Sequence, residues 1–150
     1  MSTVDVILRL ILAAGLGAVI GLEREYRQKP AGLRTNILIA VGAALFTIIS
    51  LVIGHGGGVP DRIAAQIVTG VGFLGGGAIL RSGTNVTGMT TAATIWVNAA
   101  IGMTAGAGEY AMASAATVIT LVVLVLLPPI EQYFDRRAGH FDHDAGERPD

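Results

Sequence analysis

The 150-residue chain has no cysteine. Disulfides, thiolate metal centres and a cysteine nucleophile are therefore excluded, and cysteine usage says nothing about compartment. Charge is scarce. Asp, Glu, Lys and Arg make up 14% of the residues and leave a net charge of -1, so a nucleic-acid partner has no support. HExxH, GxSxG and phosphate-loop patterns are all missing, and no histidine lies in an apolar run. A serine or threonine nucleophile inside a membrane would lack a base, so the chain is read as a non-enzyme without a cofactor. No apolar run carries an acid in its middle, which disfavours a dedicated Mg²⁺ path, because that ion wants carboxylates and retains several waters.

Apolar residues are plentiful: 52% of the chain, with a mean hydropathy of +0.64. They stand in long uncharged runs rather than amphipathic stripes. The runs cover about 4–22, 34–53, 63–80, 91–107 and 110–130. The expectation is an all-α membrane protein, a polytopic bundle of five transmembrane helices in one domain over 1–130. A polar, flexible cytoplasmic tail should follow over 131–150. The first run has no basic segment ahead of it, since Arg9 lies inside it, and reads as a retained helix rather than a signal peptide.

The third run, IAAQIVTGVGFLGGGAILR from Ile63 to Arg81, carries Gly70, Gly72, Gly75, Gly76 and Gly77. In water each helical glycine costs roughly 0.8–1 kcal/mol relative to alanine. In lipid an unpaired peptide group costs several kcal/mol, so the backbone stays helical and glycine offers a surface for close packing. Gly72 and Gly76 form a GxxxG pair, as do Gly17 with Gly21 and Gly102 with Gly106. The third run is thus expected to be the central helix of a tight bundle. A second reading breaks the helix at these glycines and lets freed carbonyls bind cations.

Polar residues punctuate the runs. Asp5 and Arg9 share a helix face and either neutralise each other near an interface or line an ion path. In EREYRQKPAGLR, residues 23–34, Glu23 with Arg27 and Glu25 with Lys29 have the favourable i,i+4 order, and Pro30 and Gly32 should break the helix. Asp61 suits the positive N-terminus of the third helix, and Gln66 and Thr69 share a face. RSGTNVTGMT, residues 81–90, reads as a polar turn with Thr90 as N-cap of the fourth helix. Thr91, Thr94 and Asn98 form one stripe that should face the bundle interior, for interhelical hydrogen bonds or for cation coordination. Pro128 and Pro129 should end the fifth helix. HFDHD, residues 140–144, is read as part of a disordered tail, with chelation as the alternative.

Basic residues are asymmetric. Arg24, Arg27, Lys29, Arg34, Arg81, Arg136, Arg137 and Arg148 fall on one side of a five-span chain, Arg9 and Arg62 on the other. The positive-inside rule gives N-terminus outside, C-terminus inside.

GLEREYRQKPAGLRTNILIAVGAALFT (21–47), DRIAAQIVTGVGFLGGGAILR (61–81) and VTGMTTAATIWVNAAIGMTAGAGEY (86–110) resemble the three signatures of the MgtC/SapB membrane proteins, in order and spacing. The resemblance implies a bacterial inner-membrane protein with a five-helix hydrophobic domain. It also implies a link to survival in low magnesium and, in pathogens, to growth inside macrophages. Such proteins look more like modulators of other membrane machines, the ATP synthase among them, than like magnesium carriers. Members often add a C-terminal ACT-like domain, which this chain, stopping at Asp150, is expected to lack. GGG at 75–77 replaces the commoner GAG. The motif residues carried over are Glu23, Arg24, Glu25, Gly32, Arg34 and Thr35; Asp61, Arg62, Gln66, Gly72, Gly75, Gly77 and Arg81; and Thr90, Thr91 and Trp96. The expected partners are the lipid bilayer, a second copy (a dimer before higher states) and other membrane proteins. The alternative is a transporter or channel for Mg²⁺ or another small ion.

Overall fold

In hydrocarbon, a helix pairs its peptide groups within one segment, and each apolar run takes that solution. The computed structural model describes residues 1–55 and 60–144. In chain order it has α1 (Thr3–Tyr26), α2 (Leu33–His55), α3 (Pro60–Gly77), a hairpin of β1 (Leu80–Ser82) and β2 (Asn85–Thr87), α4 (Met89–Ala107) and α5 (Tyr110–Asp144). Among the described residues α1, α2 and α5 are long and apolar enough to cross a membrane. α3 and α4, with 18 and 19 residues, carry more glycine and polar groups and fall short of that mark.

α2 lies at the centre, with α1 on one side and α4 on the other. A core of small residues joins Ala13 and Ile20 of α1, Ala40 and Ala44 of α2, and Ile101 and Ala105 of α4, with Ala113 of α5 packed on it. Two GxxxG pairs clamp α2. A Cβ at Gly21 would fall 2.7 Å from the Leu33 Cα, and at Gly17 2.7 Å from the Asn36 carbonyl oxygen. On the far side, a Cβ at Gly102 or Gly106 would lie 2.8 Å from the Cα of Ala40 or Ala44.

The expectation of a central third helix is corrected. α3 is peripheral. A Cβ at Gly70, Gly72, Gly76 or Gly77 would meet nothing within 4 Å, and only Gly75 approaches α4, 3.3 Å from the Ala92 carbonyl. Glycine permits close approach; a small residue opposite it decides whether the approach happens. Ala40 and Ala44 supply that for α4.

Three further expectations change. α4 begins at Met89 behind Gly88, whose φ of 88° only glycine tolerates readily, so Thr90 is inside the helix and not its cap. Residues 81–87 of the expected polar turn belong to the hairpin, in register Leu80 with Thr87. α5 does not stop at Pro128 and Pro129 but continues to Asp144. Pro129 has no N–H to give the Val125 carbonyl, and the Arg27 Nη2 donates to that oxygen instead, at 3.3 Å. The side chains of Asp61 and of the 140–144 stretch lie outside the described residues.

Candidate functional site

The polar site is built where α1 ends and α2 and α4 begin. α1 closes with paired bonds from the Lys29 N–H to the Arg24 carbonyl and from the Gln28 N–H to the Glu25 carbonyl. Gln28 and Ala31 take positive φ, 54° and 57°, and this reverses the chain within five residues. Glu25 does not pair with Lys29 here. Its Oε2 accepts from the Leu33 N–H at 3.1 Å, so its charge caps the positive end of α2. Gly32 lies under that carboxylate, where a Cβ would collide with it.

The reversal brings Asn36 into the interior, where it is fully buried. Its Nδ2 donates to the carbonyls of Ala31 and, at 3.0 Å, Gly32, stapling the loop to α2. Its own carbonyl accepts from the Asn98 Nδ2 at 2.7 Å. Arg24, 4% exposed, donates from Nη2 to the Thr91 Oγ1 at 3.1 Å. Glu23 holds its carboxylate 2.8 Å from the Arg27 Nε and 4.0 Å from the Arg24 Nη1. Both Glu23 oxygens, the Arg24 Nε and the Oδ1 atoms of Asn36 and Asn98 are buried without a directed hydrogen bond. Capacity of that kind is where buried water or a small polar ligand is held. The Glu23 carboxylate is held between two guanidiniums, which compete with any divalent cation for its oxygens.

The opposite end is tied by a second set of contacts. Arg9 pairs with Asp5 at 3.2 Å and donates from Nη1 to the Gly106 carbonyl at 2.8 Å, satisfying the end of α4. The Tyr110 hydroxyl donates to Asp5 Oδ1 at 3.4 Å.

The sequence-selected residues therefore divide. Glu23, Arg24, Thr91 and Asn98 meet in the polar layer, and Thr94 is buried beside them but donates back to the Thr90 carbonyl at 2.7 Å. Thr35, Arg62 and Gln66 line a separate groove of about 870 Å³ between α2 and α3. Arg34 and Thr90 are exposed, and Arg81 donates to the Gly83 carbonyl on the hairpin. Gln66 does not share a cavity with Thr94 and Asn98. Asn36 was not singled out from the sequence. An asparagine at the third position of an apolar run, just after Pro30 and Gly32, is the signal the sequence offers.

The model of the MgtC family matches residues 10–133. The chain belongs to the MgtC family. Protein MgtC of Salmonella typhimurium strain LT2 is 53% identical over 121 residues, which are 81% of this chain and 52% of that protein. YhiD of Escherichia coli K12, provisionally named a magnesium transporter, is 53% identical over 81% of this chain and 60% of its own. A Synechocystis protein is 46% identical over 89% of this chain and 57% of its own length. The chain thus spans a little over half the length of these relatives. No solved structure matches. The MgtC-family match takes in both the polar layer and the groove, while Asp5 falls outside it. With its apolar helices and its relatives, the chain is a membrane protein of MgtC type.

Proposed function

We propose that this chain is a non-enzymatic modulator in the bacterial inner membrane. It acts by helix–helix contact, with a second copy as a dimer or with other membrane machines such as the ATP synthase. Its setting is adaptation to low magnesium and, in pathogens, virulence. The observation that carries the reading is the outward face of α3. Of three GxxxG pairs, two are consumed inside the chain, and Gly72 and Gly76 open onto space. Ala65 and Thr69 stand exposed on the same face. A smooth lipid-facing face of that kind lets another helix approach closely.

The reading includes five spans with the N-terminus outside. Contacts at both ends support it: Arg24 with Thr91 and Arg27 with Val125 at one, Arg9 with Gly106 and Tyr110 with Asp5 at the other. α1, α4 and α5 run between these two levels, and the basic end is the inner one.

The test is Gly72→Leu with Gly76→Leu, followed by energy-transfer measurement of self-association in liposomes. Since a Cβ at either position meets nothing within 4 Å, helicity and melting should stay unchanged while association falls at least tenfold, about 1.4 kcal/mol. Unchanged association would reject the reading. Magnesium transport is the second reading, favoured by the Oδ1 acceptors of Asn36 and Asn98, which are buried without a hydrogen bond. Magnesium flux into proteoliposomes that falls on Asn98→Ala would replace the modulator by a carrier.

A further inference from the structure

The groove between α2 and α3 belongs to neither the polar layer nor the outward glycine face. Its walls are Leu38 and Phe46 of α2 and Ile63 and Leu74 of α3, and its floor is Ile67 and Ile95. Gly42 and Gly70 keep it open, since a Cβ at either would meet nothing within 4 Å. From Arg62 to Leu74 it follows thirteen residues of α3, about 18 Å at the helical rise. That is a little over half of a ~30 Å hydrocarbon core, close to the depth of one leaflet. Arg62 and Gln66, one turn apart on α3, and Thr35 of α2 are the polar groups of this otherwise apolar slot. No carboxylate stands among the described lining residues.

We propose that this groove holds one acyl chain of an anionic phospholipid, with the lipid phosphodiester against Arg62 and Gln66. The apolar walls recognise the chain, the guanidinium supplies the charge a phosphate needs, and the Gln66 amide donates to a second phosphate oxygen. A second copy's helix is the other occupant such a groove could take; the lipid is preferred because Arg62 and Gln66 stand together at one end of the slot, where a headgroup lies, and not along its length.

The test uses the whole chain reconstituted in vesicles of equal phosphatidylglycerol and phosphatidylcholine, with native mass spectrometry counting the lipid retained on release. The wild type should keep phosphatidylglycerol in preference. Arg62→Gln should cut that preference about fivefold, the weight of one cation near an anionic surface. Gly70→Leu and, independently, Gly42→Leu fill the slot and should remove retained lipid of both headgroups while the helical content is kept. Equal retention of the two lipids by the wild type would overturn the proposal. So would leucine variants that keep their lipid, or that lose self-association with lipid retention unchanged, which would seat a second copy in the groove. Gly72→Leu with Gly76→Leu should leave lipid retention untouched, so this site and the contact face fail separately.

Discussion

Gln28 occupies the left-handed position that ends α1, at φ 54°, where glycine is the usual residue. An L-residue there costs roughly 1–2 kcal/mol, so Gln28→Gly should stabilise the chain by about 1 kcal/mol in a detergent unfolding titration. The same scale separates glycines that look alike in the sequence. Gly102→Ala puts a methyl 2.8 Å from the Ala40 Cα and should cost about 1–3 kcal/mol by forcing α4 off α2. Gly72→Ala meets nothing and should be neutral or stabilising in the same titration. Asn98→Ala removes the donor to the Asn36 carbonyl and should cost about 0.6–1.7 kcal/mol, the range of interhelical bonds in membranes. All three GxxxG pairs were legible as motifs. Their allocation was not, because the opposing Ala40 and Ala44 are brought into place by tertiary packing. The Thr91, Thr94 and Asn98 stripe was legible because its three polar side chains recur at helical spacing, and all three are buried.

At the scale of the element, apolar runs located the helices, since hydrocarbon allows little else. α2 runs Leu33–His55 where hydropathy gives 34–53, and α4 Met89–Ala107 where it gives 91–107. Polar connectors were harder. The Leu80–Thr87 hairpin pairs three residues a side, too few for an alternating pattern to show. α5 passes through two prolines, and of the two carbonyls they leave without a helix donor that of Val125 accepts from Arg27 at the end of α1, which no local rule contains. This arrangement is testable by a double-mutant cycle. Arg27→Ala should loosen the second half of α5, read as faster amide exchange around Val125, and destabilise by about 0.5–1.5 kcal/mol. Pro129→Ala restores the helix N–H and should recover part of that loss. Additive effects would mean that the Arg27 bond does not compensate for the proline.

The whole molecule places its charge at two levels and its small residues in the middle. The polar layer, with the Glu23 carboxylate held between Arg24 and Arg27, ties α1, α2 and α4 together. With α2 clamped from both sides, α3 is the least embedded of the short helices and presents glycine outward. Internal glycines fix the fold, and external ones carry the proposed contact with another helix. Because the natural chain has no cysteine, one introduced thiol reports its own neighbourhood alone. The most direct measurement is oxidative cross-linking in native membranes of Thr69→Cys on the outer face of α3, against Val122→Cys on the exposed face of α5. The account predicts a disulfide-linked species with Thr69→Cys, abolished by adding Gly72→Leu and Gly76→Leu, and little with Val122→Cys. Equal cross-linking at both positions, or none at Thr69→Cys, would contradict it.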